Sequence, residues 1–342
     1  MKRTSLFLIT GFILLSYKGF SQFITKYPEI PRIDVHTHVS NNYPGIVNYL
    51  EMRNALLTEN KIDLAMWINL GGAKGTETGI DTIHEVSKGR VMTCISDYSP
   101  HRGLTRKPEE ISGYLKKGFV GYKIWHGPAS RVLEEGEKGI EYIDNLAHEP
   151  LFDAMEKAGM VMASVHIADP NGPFGERGKW CADPVEFWRS IVALERVLQR
   201  HPDLVIVAAH GSWLVCQDAQ IDFLRYLLET YPNFHVDLAA TFQYYHSVNQ
   251  ENLRDFFMEY SDRILYGTDN GIIKKSDIPN LVDRYIKTFQ ILETDDPVKG
   301  GFFGKSMTTG LNLPKDVLEK IYFKNAQKIY PGLKERMSKL EN

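Results

Sequence analysis

Short apolar runs alternate along the chain with longer amphipathic segments. The apolar runs begin near positions 33, 62, 90, 119, 160, 204, 234 and 263. Most of them are nearly continuous in apolar residues, which is typical of strands that are buried on both faces of a parallel sheet. Most starts lie about 30 residues apart, which is the size of one βαβ step. The pattern therefore predicts eight parallel strands.

The segments between the apolar runs have the pattern of helices, most clearly at 46–58, 108–117, 184–200, 218–231 and 249–260. Eight strands that alternate with helices in about 320 residues predict an α/β fold, a (β/α)₈ TIM barrel. A doubly wound open sheet is the alternative, but no Gly-rich phosphate-binding motif follows the first strand. No linker rich in Pro, Gly or Ser divides the chain, so we expect a single domain over residues 22–342.

The first 21 residues have the pattern of a signal peptide. A basic start at 1–4 precedes the apolar run SLFLITGFILL at 5–15, which is shorter than the roughly 20 residues of a membrane-spanning helix. Gly19 and Ser21 are small residues at the −3 and −1 positions of a cleavage site. We therefore expect an exported protein, periplasmic or extracellular, with no stable membrane insertion after cleavage. An uncleaved N-terminal anchor is the alternative.

Composition narrows the class of protein. Hydrophobic residues make up 43% of the chain and charged residues 24%, which is ordinary for a soluble globular protein and excludes collagen-like and disordered classes. A formal net charge of −3 offers no basic surface, so we expect no nucleic-acid partner. Three cysteines are too few for a disulfide scaffold. The expected partner is a small-molecule substrate, and a homo-oligomer is left open.

Histidine and aspartate stand where predicted strands end. His36 and His38 end the first strand and, being two residues apart, point the same way. His166 ends the fifth strand, His210 the sixth and Asp269 the eighth. Active sites of this barrel lie at the carboxyl ends of the strands, so these side chains can converge. Such nitrogen and oxygen ligands suit Zn²⁺ or another divalent transition metal, although a single histidine at a strand end is more often a structural hydrogen-bonding group.

Strand periodicity also predicts which neighbours share a face with these residues. Two inward-facing sets are expected: Ile206, Ala208 and His210 in strand six, and Leu265, Gly267 and Asp269 in strand eight. Small residues behind each ligand would leave room in the barrel.

The ordered set of motifs resembles the amidohydrolase superfamily, specifically its amidohydrolase-related branch (amidohydrolase 2). That branch includes carboxymuconate-semialdehyde decarboxylases, aromatic-acid decarboxylases and lactonases. The matching motifs are IDVHTH (33–38), GYKIW (121–125), VHIADP (165–170), VAAHGSW (207–213), NFHVDLAA (233–240), ILYGTDN (264–270) and VLEKIYFKNAQKIY (317–330). The resemblance implies that the metal ligands are His36, His38, His166 and Asp269, and that His210 acts beside the metal as a base or electrophile. It implies one divalent ion, expected to be Zn²⁺, with Mn²⁺ or a second ion left open.

Lys123 has two interpretations. It lies on the same predicted face of strand four as Gly121 and Trp125, so it should point into the rim of the barrel. In two-metal relatives a lysine on this strand is carboxylated and bridges the ions, which requires an amine whose pKa burial has lowered. Alternatively, an ammonium group contacts an anionic substrate or Asp269.

The resemblance also implies a reaction type. A divalent ion lowers the pKa of a bound water from 15.7 toward about 7. Asp269 can then be both ligand and proton acceptor, and His210 can stabilise an oxyanion or carry a proton. This suits hydrolysis of an ester, lactone or amide in a small substrate, sugar-derived or cyclic. The alternatives are a metal-dependent decarboxylase of the carboxymuconate-semialdehyde or aromatic-acid type, and a non-catalytic metal-binding or glycan-binding barrel.

Further residues near strand ends are candidates for substrate contact. His101, Arg102 and Arg177 could bind a carboxylate group. Trp125 could stack on a ring. Asp237, on strand seven, could orient a ligand histidine or the substrate, or pair with a neighbour.

Overall fold

Eight parallel strands form one sheet in which every strand pairs with its neighbour in sequence. A computed structural model describes residues 23–39, 43–71, 76–97, 104–126, 142–168, 184–271, 274–299 and 306–340. The segment after the eighth strand returns to the first, because His38 N donates to Asn270 O at 2.7 Å and Thr37 forms a bridge with Asn270. The predicted TIM barrel and the single domain are confirmed. Within the described ranges, no helix has the length and hydropathy of a membrane span.

The barrel strands lie close to the predicted apolar runs. They are β1 (Arg32–Thr37), β2 (Leu64–Asn69), β3 (Val91–Ser96), β4 (Phe119–Trp125), β5 (Val161–His166), β6 (Ile206–Ala208), β7 (Phe234–Asp237) and β8 (Ile264–Leu265). A separate antiparallel pair, which the sequence pattern did not predict, consists of β9 (Pro297–Lys299) and β10 (Met307–Thr309).

Helices occupy all five segments predicted to be helical, and others follow the last strand of the barrel. They are α1 (Tyr43–Asn60), α2 (Thr76–Val86), α3 (Ile111–Lys116), α4 (Glu149–Ala158), α5 (Pro184–Arg200), α6 (Asp218–Thr230), α7 (Gln250–Glu259), α8 (Ile278–Glu293), α9 (Lys315–Glu319), α10 (Asn325–Ile329) and α11 (Leu333–Leu340). The predicted helix at 108–117 is divided, because Pro108–Glu110 forms a 3₁₀ turn ahead of α3.

The apolar core has two layers. The larger layer fills the space between strands and helices and includes Trp67, Tyr122 and Phe187. The smaller layer fills the barrel and extends to the C-terminal helices through Tyr330 and Leu333. Because both faces of the sheet are covered, the strands have the nearly continuous apolar sequences noted above.

An irregularity in β1 contains His36 and precedes His38. Asp34 pairs with Trp67 and Thr37 pairs with Asn69, so three steps along β1 match two along β2. A bulge of this kind adds one residue and re-aims the side chains that follow it.

A second irregularity lies in β5, beside β4. Lys123 pairs with Ala163 and Trp125 with His166, so β5 carries one extra residue. Ser164 lies within this step and has a left-handed φ of 48°. The bulge therefore sets the direction of Ser164 and of His166 at the end of the strand.

Strand six ends earlier than predicted, and its predicted inward face is wrong. β6 stops at Ala208, and both Ile206 and Ala208 pack in the outer layer, whereas Val207 belongs to the inner layer. His210 therefore does not share a strand face with Ile206 and Ala208. It lies in the segment that follows the strand.

Left-handed backbone carries His210 into the barrel mouth. His210, Gly211, Ser212 and Trp213 have φ values of 58°, 55°, 50° and 61°. Each left-handed non-glycine residue costs roughly 1–2 kcal/mol, so packing and hydrogen bonds must hold this turn in place.

Strand eight also ends early, at Leu265, and Asp269 follows it with a φ of 64°. Unlike that of strand six, the predicted inward face of strand eight is correct. Leu265 belongs to the inner layer. A Cβ placed on Gly267 would lie 2.9 Å from the Cβ of His36, so this glycine allows β1 and the β8 segment to approach closely.

Candidate metal centre

His36 of β1 and His38, which directly follows β1, meet one carboxylate beyond β8. The Nε2 atoms of His36 and His38 lie 3.2 Å and 3.0 Å from Oδ1 of Asp269. His36 is buried, whereas the side chains of His38 and Asp269 are 38% and 31% exposed. The group therefore has a buried inner side and an open outer side.

The other nitrogen of His36 is fixed from behind. Its Nδ1 lies 2.9 Å from Oδ2 of Asp237, and the Ser164 hydroxyl lies 3.1 Å from the same nitrogen. Asp237 is buried at the end of β7. A carboxylate that accepts the Nδ1 proton orients the ring and leaves Nε2 to face the centre.

Asp237 also holds the turn that carries His210. Its Oδ1 accepts hydrogen bonds from the backbone N–H groups of His210, at 2.9 Å, and Ala239, at 3.1 Å. Burial opposes ionisation of Asp237, but the charge and hydrogen bond of His36 outweigh it and hold the pKa of this carboxyl below its usual range. One carboxylate thus positions His36 of β1 and His210 of the turn that follows β6.

His210 is held on several sides. Its Nδ1 donates to the carbonyl oxygen of Ala239 at 2.7 Å, and its Nε2 lies 3.2 Å from Nδ1 of His166. The Trp213 ring stacks on it, with ring centroids 4.5 Å apart, while the Trp213 indole N–H donates to Ala168 O at 2.8 Å. These contacts stabilise the left-handed turn and point Nε2 into the centre.

The charges of the two inner histidines differ. Burial alone would lower the pKa of His36, but the Asp237 and Asp269 carboxylates raise it to about 9. Burial, together with the neighbouring His166 and His36, lowers the pKa of His210 to about 3. In the metal-free chain His36 is therefore an imidazolium between two carboxylates, and His210 is neutral with a lone pair on Nε2.

Asp269 remains ionised despite its position. Burial opposes this, but hydrogen bonds from His36 and His38 and the charge of His36 keep the pKa of the Asp269 carboxyl well below its usual range. An ionised carboxylate beside imidazole nitrogens is a donor set that suits a divalent ion.

Lys123 lies inside the barrel next to this centre. Its Nζ donates to the backbone oxygen of Ser164 at 2.7 Å and to the Ser164 hydroxyl at 2.9 Å. Burial lowers the pKa of Lys123 to about 8, against the opposing charges of Asp269 and Asp237. Ser164 thus connects the lysine to His36. Carboxylation of Lys123 stays a hypothesis.

A family model described as Amidohydrolase matches residues 110–332, about two thirds of the chain. The chain belongs to this family. Its sequence resemblance to the amidohydrolase-2 branch is therefore confirmed. A search of curated proteins gave no match.

Solved structures show the same fold at low identity. An uncharacterized TIM-barrel protein from Bordetella bronchiseptica is 14% identical, with a TM-score of 0.50, and the match covers 90% of this chain and 99% of that one. A structure described as an amidohydrolase II is 13% identical, with a TM-score of 0.51, and the match covers 87% and 99%. At this level of identity the likeness concerns the fold alone.

The barrel of this amidohydrolase brings the predicted ligand residues together at one rim. Donor atoms of His36, His210 and Asp269 all lie within 4.8 Å of one another. His38 and His166 flank this group, through their contacts with Asp269 and His210 respectively. The residues fit a divalent ion, because imidazole nitrogens and a carboxylate converge and Asp237 fixes one of the rings. Which of the five bind the metal stays a prediction.

The predicted substrate residues are placed less completely. Trp125 ends β4, with its ring centroid 5.8 Å from that of His166. Asp237 faces His36 and the His210 turn, as described above. His101, Arg102 and Arg177 lie outside the described residues.

Two residues of the site were not selected from the sequence. No feature of the sequence pointed to Ser164, because its role depends on the bulge in β5. Asp34 lies two residues before His36 in the IDVHTH motif and is buried. It accepts hydrogen bonds from His36 N, from Thr268 N and its hydroxyl, and from the Tyr285 hydroxyl. Burial raises its pKa to about 7. It ties β1 to the segment that carries Asp269.

Proposed function

We propose that this chain is a metal-dependent hydrolase that cleaves an ester, lactone or amide bond in a small substrate. The observation that carries the proposal is the meeting of His36 and His38 at Asp269, with Asp237 behind His36. His36, His38, His166 and Asp269 are the proposed ligands, Zn²⁺ is the proposed ion, and His210 lies beside them. Family membership supports an enzyme of this class.

A divalent ion in this position would supply a Lewis acid that polarises a carbonyl group and acidifies water. Asp269 is ionised and partly open to solvent, so its carboxylate can accept a proton from an attacking water. His210 lies beside the proposed ligands with Nε2 toward the centre, where we propose that it acts as a base or electrophile. Stacking by Trp213 and the bond to Ala239 keep that nitrogen in one orientation.

The test is turnover by the zinc-loaded chain of a panel of p-nitrophenyl esters, sugar lactones and anilides. We expect hydrolysis of at least one class, lost in Asp269→Asn and retained in Asp283→Asn, a matched change at an exposed helical position. The same preparations would be assayed for CO₂ release from aromatic and muconate-type acids. CO₂ release without hydrolysis would replace this proposal with the decarboxylase alternative.

We also propose that the protein is exported and that its mature form begins at Gln22. The basic start, the 11-residue apolar run and the small residues before Gln22 support this. Intact-mass measurement of the natively produced protein tests it. A retained N-terminus would contradict cleavage.

A further inference from the structure

A cavity of about 840 Å³ opens at the end of the barrel opposite the candidate metal centre. The loops before β3, β4 and β5 line it on one side, and α11 lines it on the other. Its volume is in the range of small-molecule binding sites, about 300–1,000 Å³. No step of the proposed hydrolysis uses it.

Apolar side chains contribute part of the wall. Met92, Phe119 and Val120 line the cavity at the starts of their strands and are almost completely buried. Leu115 and Leu340 extend this surface. Leu115 and Leu340 are only partly buried, so an apolar group of a ligand could lie against them.

The remaining wall is mostly cationic. Lys88, Arg336 and Lys339 line the cavity, and Glu335 is the acidic residue among the lining side chains, all of which belong to the described part of the chain. Glu335 pairs with Lys339 at 2.6 Å. The Lys88 ammonium and the Arg336 guanidinium have no ion pair or side-chain hydrogen bond within the described ranges. The cavity therefore carries uncompensated positive charge.

Arg336 lies against the turn that precedes β3. A Cβ on Gly89, which has a left-handed φ of 77°, would lie 3.3 Å from Nη1 of Arg336. His84 lies behind Gly118 on the same side, with Cε1 3.6 Å from the corresponding Cβ position there. The buried Nε2 of His84 has no hydrogen-bond partner in the described structure. A guanidinium fork held beside an apolar wall matches the planar geometry of a carboxylate.

We propose that this cavity binds a small amphipathic carboxylate, with the carboxylate at Arg336 and the apolar part against Leu115 and Leu340. The site is independent of the candidate metal centre. Acetate carries the charge alone, octan-1-ol carries the chain alone, and octanoate carries both.

Isothermal titration calorimetry of the full chain with these three probes tests the proposal. We expect octanoate to bind at least about tenfold more tightly than acetate or octan-1-ol, since hydrogen bonds to charged groups and apolar burial both contribute. No octanoate binding, or equal binding of octan-1-ol or of acetate, would overturn the proposal.

Matched variants locate the site. Arg336→Gln should weaken octanoate binding about tenfold or more, whereas Lys334→Gln, which makes the same charge change on the same helix outside the cavity, should leave it within about twofold. Ala158→Phe should weaken octanoate binding by narrowing the cavity while keeping every charge. Thermal melts of each variant would show that it is folded. Equal octanoate affinity in the wild type, Arg336→Gln and Ala158→Phe would contradict the assignment.

Discussion

Two clusters in this amidohydrolase combine histidine with carboxylates at metal-ligand spacing, but their surroundings differ. One is the candidate metal centre, His36, His210 and Asp269. The other, named here the outer cluster, comprises Asp153, Glu156 and His201. Both have donor atoms within 4.8 Å of one another, so donor type and spacing alone do not separate them.

In the outer cluster the carboxylates come from one helix, α4, and contact both ring nitrogens of His201. Nε2 of His201 lies 3.0 Å from Glu149, and its Nδ1 lies 3.4 Å from Glu156. Glu156 also accepts from the backbone N–H of Asp203 at 2.8 Å. These contacts join α4 to the end of α5. Asp153 is 70% exposed, so its carboxylate is hydrated and weakly held.

In the metal centre the donors are held from behind and face an opening. Asp237 binds one nitrogen of His36, the Ala239 carbonyl binds one nitrogen of His210, and the second nitrogen of each ring faces the centre. His210 and Asp269 have left-handed backbones, a strained conformation that is concentrated at functional sites. The comparison indicates that the groups behind the donor atoms, and not the donor types alone, distinguish a candidate metal site from a structural cluster.

The largest expected difference between the clusters is in catalysis. Asp269→Asn should lower kcat on the substrate found in the panel by about 10³-fold, because it removes the proposed proton acceptor. Asp153→Asn, the matched change in the outer cluster, should leave kcat within about twofold. Steady-state kinetics on zinc-loaded protein would measure both. Equal losses of kcat in the two variants would contradict the catalytic role of Asp269.

The next difference is in the pH dependence of stability of the metal-free chain. His36 has a folded pKa of about 9, above its unfolded value, so its contribution is present below about pH 6.5 and is lost as the pH rises through about 9. The loss should approach about 3 kcal/mol.

Urea unfolding with chelator at several pH values would measure this decline. The part of this decline that His36 causes should be absent in His36→Asn and present in His201→Gln. A decline of the same size in His36→Asn would show that other groups cause it.

A smaller effect is expected behind the metal centre. Asp237→Asn removes the carboxylate that orients His36, and the loss of such a partner typically lowers metal affinity 10–100-fold. Glu156→Gln makes the corresponding change in the outer cluster and should leave zinc affinity unchanged. Competition with a fluorescent chelator would give both affinities. Unchanged affinity in Asp237→Asn would contradict the orienting role.

The smallest effect on metal binding is expected in the outer cluster itself. His201 is buried, so His201→Ala should lower the free energy of unfolding by about 1–3 kcal/mol through lost packing and lost hydrogen bonds. Metal content should not change. Denaturant melts and metal analysis of the same preparation would check this, and loss of metal would give the outer cluster a binding role.

The sequence predicted the barrel and most of its elements because strands buried on both faces have a distinctive apolar pattern. It also predicted that His36 and His38 act together, since both lie at the end of one strand. It predicted the wrong face for strand six. Period-two reasoning holds only within a strand, and β6 ends at Ala208, ahead of the left-handed turn that carries His210.

The rest of the site depends on tertiary structure. The extra residue in β5 that directs Ser164 toward His36 becomes visible only when β4 and β5 are paired. The dual contact of Asp237 with His36 and the His210 turn also requires the closed barrel. Asp34 was accessible to sequence reasoning by its position before the histidines, but its partners Thr268 and Tyr285 are more than 200 residues away.

The most direct test of the account is metal content by plasma mass spectrometry, on protein purified without added metal or chelator. The wild type, His36→Ala and His201→Ala would be compared. We predict about one divalent ion per chain in the wild type and in His201→Ala, and almost none in His36→Ala. A wild-type chain that stays empty when supplied with Zn²⁺ or Mn²⁺, or one that loses metal equally in both variants, would contradict the assignment of the metal centre.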